Sequence, residues 1–394
     1  MIRGAARRAC RYRLGARRIL PPAATFARIA PLATGFGITR LADVTGLDTI
    51  GIPVFQAIRP LARSLTVSQG KGATRMAARV SALMEAIELH HAERLEPINH
   101  GLPTIAEAAF CTAIAPTYDQ PESFDAARAR DWCEGRDLLN GGSLRVPHAL
   151  VSMDFTRETD PDMRATSNGL ASGNSVAEAT VSALAEVIER DAHVRWNTLP
   201  PSARLQTSID PDTIDDRLGR RLIDRVRHAG FGLRLWDLSD AHGVPSLLCA
   251  LFELSGGSAM VQLPALGAGA HPARTVALAR AITEAAQSRA TLIAGSRDDL
   301  DDRDYAAPAA VRLRLLVETG LAANGVRDWR SLPDAAGGSP DSDSAWLLDR
   351  ARASGMTHVA WLDLTDPAHG IAVVKVIVPG LGDHHRPMTR EGSP

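Results

Sequence analysis

Residues 68–88 read SQGKGATRMAARVSALMEAIE, and this stretch decides the fold. Ser68-Gln69-Gly70-Lys71-Gly72 reads as a glycine-rich turn that opens into a helix. Behind it, Met76, Val80, Leu83 and Ile87 recur at helical spacing, while Ser81, Glu85 and Glu88 form a separate polar line. The chain has 44 basic residues, of which only Lys71 and Lys375 are lysines. A lysine between two glycines is a compact point charge where a ligand can approach the backbone closely. The following helix N-terminus favours an anion, so a phosphate is the expected contact of Lys71.

Working outward, the same pattern returns at Ser167-Asn168-Gly169-Leu170-Ala171-Ser172-Gly173-Asn174 and at Gly267-Ala268-Gly269-Ala270-His271-Pro272. Each precedes a helical stretch, and Glu85, Glu186 and Glu284 follow Gly72, Gly173 and Gly269 by 13, 13 and 15 residues. Strand–turn–strand patterns recur as well, around Asp43 to Val54, Trp236 to Leu251 and Trp361 to Val378. The expectation is one α+β body of three quasi-repeated hairpin, glycine-loop and helix units, with three helices aiming similar groups at one centre. Residues 97–147 and 296–345, polar and rich in Asp and Ala, read as peripheral.

The second helix is the clearest. Glu178, Ser182, Glu186 and Glu189 fall within a stripe of about 80°, with Val181, Leu184, Val187 and Ile188 opposite. The stripe reads as carrying no interleaved cation, since Arg190 and Asp191 come only at its end. Uncompensated carboxylates on one face call for a divalent cation. The third helix adds Glu284, Gln287 and Arg289. Glycine loops, one Lys, several Glu and two Arg together match the needs of a Mg2+–triphosphate, because Mg2+ takes oxygen ligands and shares its shell with substrate phosphates. The P-loop pattern GxxxxGK[ST], the HRD and DFG motifs of kinases and the GxSxG elbow are all absent from the sequence.

Composition sets further bounds. With 394 residues and 45% hydrophobic content the chain can bury a substantial core, and no run approaches the ~20 apolar residues of a membrane span. A net charge of −1 gives no global basic field for nucleic acid. Cys10, Cys111, Cys133 and Cys249 form no CxxC pair, which points to reduced structural thiols in a cytoplasmic protein. Residues 1–34, rich in Arg and Ala, read as a loosely ordered leader, and 383–394 as a flexible tail.

At these motifs the chain resembles the YcaO family of ATP-dependent enzymes that modify the peptide backbone. The similarity runs through the three glycine–helix stretches and through Gly37 to Pro60 (GITRLADVTGLDTIGIPVFQAIRP), so it spans about residues 35–382, the expected domain. The resemblance implies a nucleotide-binding fold of mixed sheets and packed helices. It implies ATP and Mg2+ as cofactors and phosphorylation of a backbone amide oxygen, which a nucleophile then displaces. Carried over by position, Glu85, Glu88, Glu178, Glu186 and Glu189 hold Mg2+. Lys71, Ser81, Asn168, Asn174, Glu178, Arg190, Glu284, Gln287 and Arg289 form the ATP-binding set. No catalytic acid or base is identified.

Two departures refine the expectation. The chain ends Arg386-Pro387-Met388-Thr389-Arg390-Glu391-Gly392-Ser393-Pro394, which is not the PxPxP tail of azoline-forming members. With the family body expected to begin near residue 35, no fused leader-peptide or adenylation-like domain is expected either. Both favour a stand-alone enzyme that makes a thioamide with a TfuA-like partner and a sulfur donor, acting on a peptide or protein. Azoline formation, an accessory role in ribosomal-protein methylthiolation and a non-catalytic nucleotide-binding scaffold are the alternatives. A homodimer is left open by analogy.

Overall fold

Gly70, Gly267 and Gly269 are dictated by backbone contact. A Cβ on Gly70 would lie 2.0 Å from the Ala82 nitrogen. On Gly267 it would lie 2.1 Å from the Ala285 nitrogen, and on Gly269 2.2 Å from the Ala277 oxygen. Only residues without a side chain let a strand press against a helix at that distance. The computed structural model describes residues 9–114, 124–157, 160–163, 165–254, 264–296 and 325–382. In it the glycine segments are mostly strands, which corrects their reading as turns that cradle a ligand.

In chain order the elements are α1 (Pro22–Ile29), β1 (Arg40–Asp43), β2 (Val54–Ile58), β3 (Val67–Lys71) and α2 (Arg75–Ala92). Then come β4 (Asn99–Gly101), α3 (Ile105–Ile114), β5 (Arg130–Asp137), β6 (Ser143–Pro147), β7 (Leu170–Gly173) and α4 (Val176–Thr198). After α5 (Pro201–Gln206) and α6 (Arg217–His228) follow β8 (Phe231–Asp237), β9 (Ser246–Glu253), β10 (Ala265–Ala270) and α7 (Arg274–Ala294). The last are α8 (Pro340–Ala353), β11 (Ala360–Asp363) and β12 (Ala372–Ile377). The α+β class is as expected.

Among the described residues three antiparallel sheets result, ordered β1-β2-β3, β10-β9-β8 and β4-β5-β11-β12-β7, with β6 also on β5. All three expected hairpins form. The β1–β2 and β8–β9 hairpins lead directly through β3 and β10 into α2 and α7. The β11–β12 hairpin instead pairs with β7, with Val373 opposite Ser172. The middle helix α4 therefore takes its hairpin from the far end of the chain, so the units are not closed in sequence order.

Helix starts are set locally: the Thr74 hydroxyl accepts from the Ala77 nitrogen at 3.1 Å, and that of Ser175 from the Glu178 nitrogen at 3.3 Å. Each helix then buries one apolar face. Leu83 and Ile87 of α2 pack with Phe55 and Trp132, Leu184 and Ile188 of α4 with Val374 and Val376, and Ile282 of α7 with Leu235 and Trp329. Full burial of such side chains contributes about 1.5–3 kcal/mol each, and it leaves the opposite faces free to hold polar groups.

Two expectations about the periphery are corrected. Trp132 on β5 and Trp329 are fully buried, so parts of 97–147 and 296–345 belong to the body. The described part of the supposed leader is also ordered. Tyr12 and Arg18 form a short antiparallel bridge, α1 follows, and Ile19 and Ile29 are buried. Their apolar side chains supply the burial that composition alone obscured. Residues 1–8 and the tail 383–394 lie outside the described residues. Among the described residues, no helix is long and apolar enough to cross a membrane. The four cysteines are free and buried.

Candidate functional site

The polar faces of α2, α4 and α7 meet around one cavity of 940 Å³. Ser81, Glu85 and Glu88 line it from α2, Glu178, Glu186, Glu189 and Arg190 from α4, and Glu284 and Gln287 from α7. Lys71 and Asn174 line it from the strand ends. Eleven of the thirteen residues expected to bind ATP or Mg2+ thus share one space.

The carboxylates are held by backbone donors from the glycine strands. Glu85 accepts from the Gln69 nitrogen at 3.2 Å and Glu284 from the Ala268 nitrogen at 3.3 Å, each on the strand before its own helix. Glu88 instead reaches across to β7, accepting from the Ser172 nitrogen at 2.7 Å and its hydroxyl at 2.5 Å. Glu189 likewise reaches across to β10, accepting from the Ala270 nitrogen at 2.7 Å. Lys71 on β3 pairs with Glu284 of α7, and this contact closes the ring of three helix–strand units.

Crowding shifts the acids in opposite directions. Burial pushes the Glu88 carboxyl up to about 8 against the Ser172 hydrogen bond, with Glu85 and Glu186 adding repulsion. Burial also pushes Glu189 up, although Arg280 at 3.6 Å opposes it. Burial would raise Glu284 as well, but Lys71, Arg280 and the Ala268 nitrogen together hold it down. Burial thus favours the neutral form of Glu88 and Glu189, while Glu284 keeps its charge beside Lys71. Among the described residues, no three His, Cys, Asp or Glu side chains are arranged to hold a cation alone.

Other placements differ from expectation. Arg190 sits four residues after Glu186 and pairs with it at 3.0 Å, so the α4 stripe does carry a cation. Arg289 lies off the cavity wall, where it bonds Asp48 at 3.0 Å and Glu253 at 2.7 Å and stacks on Phe231. Two carboxylates and a ring give it a structural task in place of the expected ATP contact. Asn168 is buried and is also not among the lining residues.

Several lining residues were not foreseen. The bridge formed by Tyr12 and Arg18 is one wall of the cavity. From this segment the Ile19 nitrogen donates to the buried Glu178, Arg18 lies 3.6 Å from the same carboxylate, and the Thr25 hydroxyl meets Asn174 Oδ1 at 2.8 Å. Glu178 and Asn174 are thereby fixed by the N-terminal segment, and Asn174 also donates to Glu178 from its backbone and side chain. Arg280, which pairs with Glu189, is the other addition.

Comparison with known proteins follows this geometry. A family model described as YcaO cyclodehydratase, ATP- and Mg2+-binding, matches residues 69–382. An uncharacterized protein in the tfuA 3' region of Rhizobium leguminosarum bv. trifolii is 35% identical over 376 residues, covering 92% of this chain and 88% of that protein. Among solved structures, a heterocyclase in complex with substrate and cofactor superposes with TM-score 0.76 at 23% identity, over 96% of this chain and 54% of the other. YcaO from Methanopyrus kandleri bound with AMPPCP and Mg2+ superposes with TM-score 0.73 at 24% identity, over 95% and 94% of the two chains. The chain belongs to the YcaO family, described as ATP- and Mg2+-binding.

Proposed function

We propose that this chain is an ATP- and Mg2+-dependent enzyme that phosphorylates a backbone amide oxygen of a peptide, and that its product is a thioamide. The observation that carries the reading is the convergence of acids from three helices, with Lys71, Arg190 and Arg280, on one cavity. The site fits Mg2+–ATP on its own terms: its carboxylates offer oxygen donors, burial and neighbouring carboxylates push Glu88 and Glu189 up, and the buried Gln287 Oε1 has no hydrogen-bond partner among the described residues.

In this reading Glu85, Glu88, Glu178, Glu186 and Glu189 hold Mg2+, which when bound neutralises phosphate charge. Lys71 and Arg190 orient the phosphates, and the site supplies position and charge more than covalent chemistry. The amide oxygen takes the terminal phosphoryl group of ATP with loss of ADP. A sulfide equivalent then adds to the carbonyl carbon, and phosphate leaves with the former amide oxygen. A thioamide made with a TfuA-like partner and a sulfur donor is favoured by the relative from the tfuA region. The setting is the cytoplasm, in keeping with four free cysteines.

The test is ATP turnover by the chain with a TfuA-like partner, a sulfide source and candidate peptides from the same gene neighbourhood. Turnover that depends on peptide, with oxygen replaced by sulfur in the product mass, supports the reading. Loss of one water from the peptide would mean azoline formation, and nucleotide binding without peptide-dependent turnover would mean a scaffold.

A further inference from the structure

The exposed arginines divide between those paired with an acid, such as Arg128 with Asp162, and those without one. Arg11 and Arg13 near the N-terminal bridge, and Arg217 and Arg221 on the first turns of α6, are exposed, and their guanidinium groups have no hydrogen-bond or ion-pair partner among the described residues. The two groups belong to touching elements. A Cβ on Gly15, at the tip of the N-terminal segment, would lie 3.0 Å from Leu218 Cδ2, and Gly15 itself lines the cavity. The segment is thus a wall of the nucleotide cavity on one side and a neighbour of α6 on the other. Arg220 and Arg225, exposed on the same helix, extend the positive face, although they also bond the backbone at Ile214 and Gly51. Asp224 is the exposed acid on the helix itself, and Asp212 and Asp215, also exposed, lie just before its first turn, where Asp212 pairs with Arg227.

From these contacts we infer that the N-terminal segment and α6 form a basic ridge that receives an acidic segment of the peptide substrate and feeds the adjoining cavity. This rests on the peptide-activating reading given above. Four unpaired guanidiniums offer bidentate contacts to carboxylates, and an exposed ridge binds a flexible acidic chain without desolvating a buried charge. A peptide is favoured over nucleic acid because single-stranded nucleic acid is held by exposed aromatic stacking platforms. The exposed residues of α6 are arginines, Asp224 and, at its last position, His228, and Tyr12 is turned into the cavity wall.

The experiment is fluorescence anisotropy of a labelled Glu-rich peptide, with a Lys-rich peptide and an oligothymidylate of equal length as controls. The full chain is compared with Arg217→Glu/Arg221→Glu and with the milder Arg217→Gln/Arg221→Gln, and Mg2+–AMPPCP binding is measured in the same proteins. The expected result is Glu-peptide binding that weakens with salt and falls about tenfold or more in the charge-reversed variant, with nucleotide binding unchanged. No Glu-peptide binding by the wild type, equal binding by the reversed variant, or stronger binding of the oligothymidylate would overturn the ridge. Loss of Mg2+–AMPPCP binding in the wild type would instead sink the enzymatic reading while leaving the ridge to its own data.

Discussion

Lys71 at the end of β3 pairs with Glu284 of α7, 213 residues away in sequence. The contact sets one of the chain's two lysines against the helix that closes the site, with both side chains about a quarter exposed. Lys375 has the opposite situation: it is fully buried on β12 and donates to the Thr166 carbonyl.

The two lysines should therefore separate in their effects. Lys71→Ala is expected to weaken Mg2+–AMPPCP binding while costing at most about 1 kcal/mol of stability. Lys375→Ala should cost about 2–5 kcal/mol, since it opens a cavity and strands a buried carbonyl, and leave nucleotide affinity of the folded protein intact. Calorimetric titration beside a urea melt checks both. Equal losses of affinity would remove the assignment of Lys71.

Glu88 makes the site sensitive to pH. Its carboxyl is pushed up to about 8 in the folded chain, against an ordinary value of 4.5. Between those limits the folded state keeps a proton that the unfolded state has released, so stability falls as pH rises through the window. Glu88→Gln should flatten that slope and melt higher than wild type near pH 8. Cation binding must expel the same proton, so Mg2+–AMPPCP affinity should rise toward pH 8 with measurable proton release, seen as a buffer-dependent heat. An affinity independent of pH would contradict a role for Glu88 in holding the metal.

Gly70→Ala tests the strand-against-helix packing. The added methyl meets Ala78 and Ala82 backbone atoms at 2.0–2.2 Å, so β3 and α2 must separate, at a cost of about 3 kcal/mol or more. Gly46→Ala, where nothing lies within 4 Å, should leave thermal stability nearly unchanged. Similar melting temperatures for the two variants would show that the close approach is not required.

Hairpins, helices and the acidic positions were legible because each follows from spacing within one element. The role of the glycines was not, since a residue that permits close approach looks the same whether the neighbour is a phosphate or a helix backbone. On α7, helical geometry would have served better than residue type: Arg289 is turned about 140° from Glu284, whereas Arg280, four residues before it, shares its face. Arg18 and Thr25 could not be read at all. Their partners Glu178 and Asn174 lie about 150 residues on, and the surrounding arginines hide which one matters.

The most direct test of the account is titration of Mg2+–AMPPCP into wild type and Glu189→Gln. The prediction is binding that requires Mg2+ in the wild type and is lost in the variant. The variant should fold as well as the parent or better, because a neutral side chain no longer faces Glu186 and Glu284 across the cavity. Undiminished Mg2+–AMPPCP affinity in folded Glu189→Gln would contradict the placement of the metal and nucleotide between α2, α4 and α7.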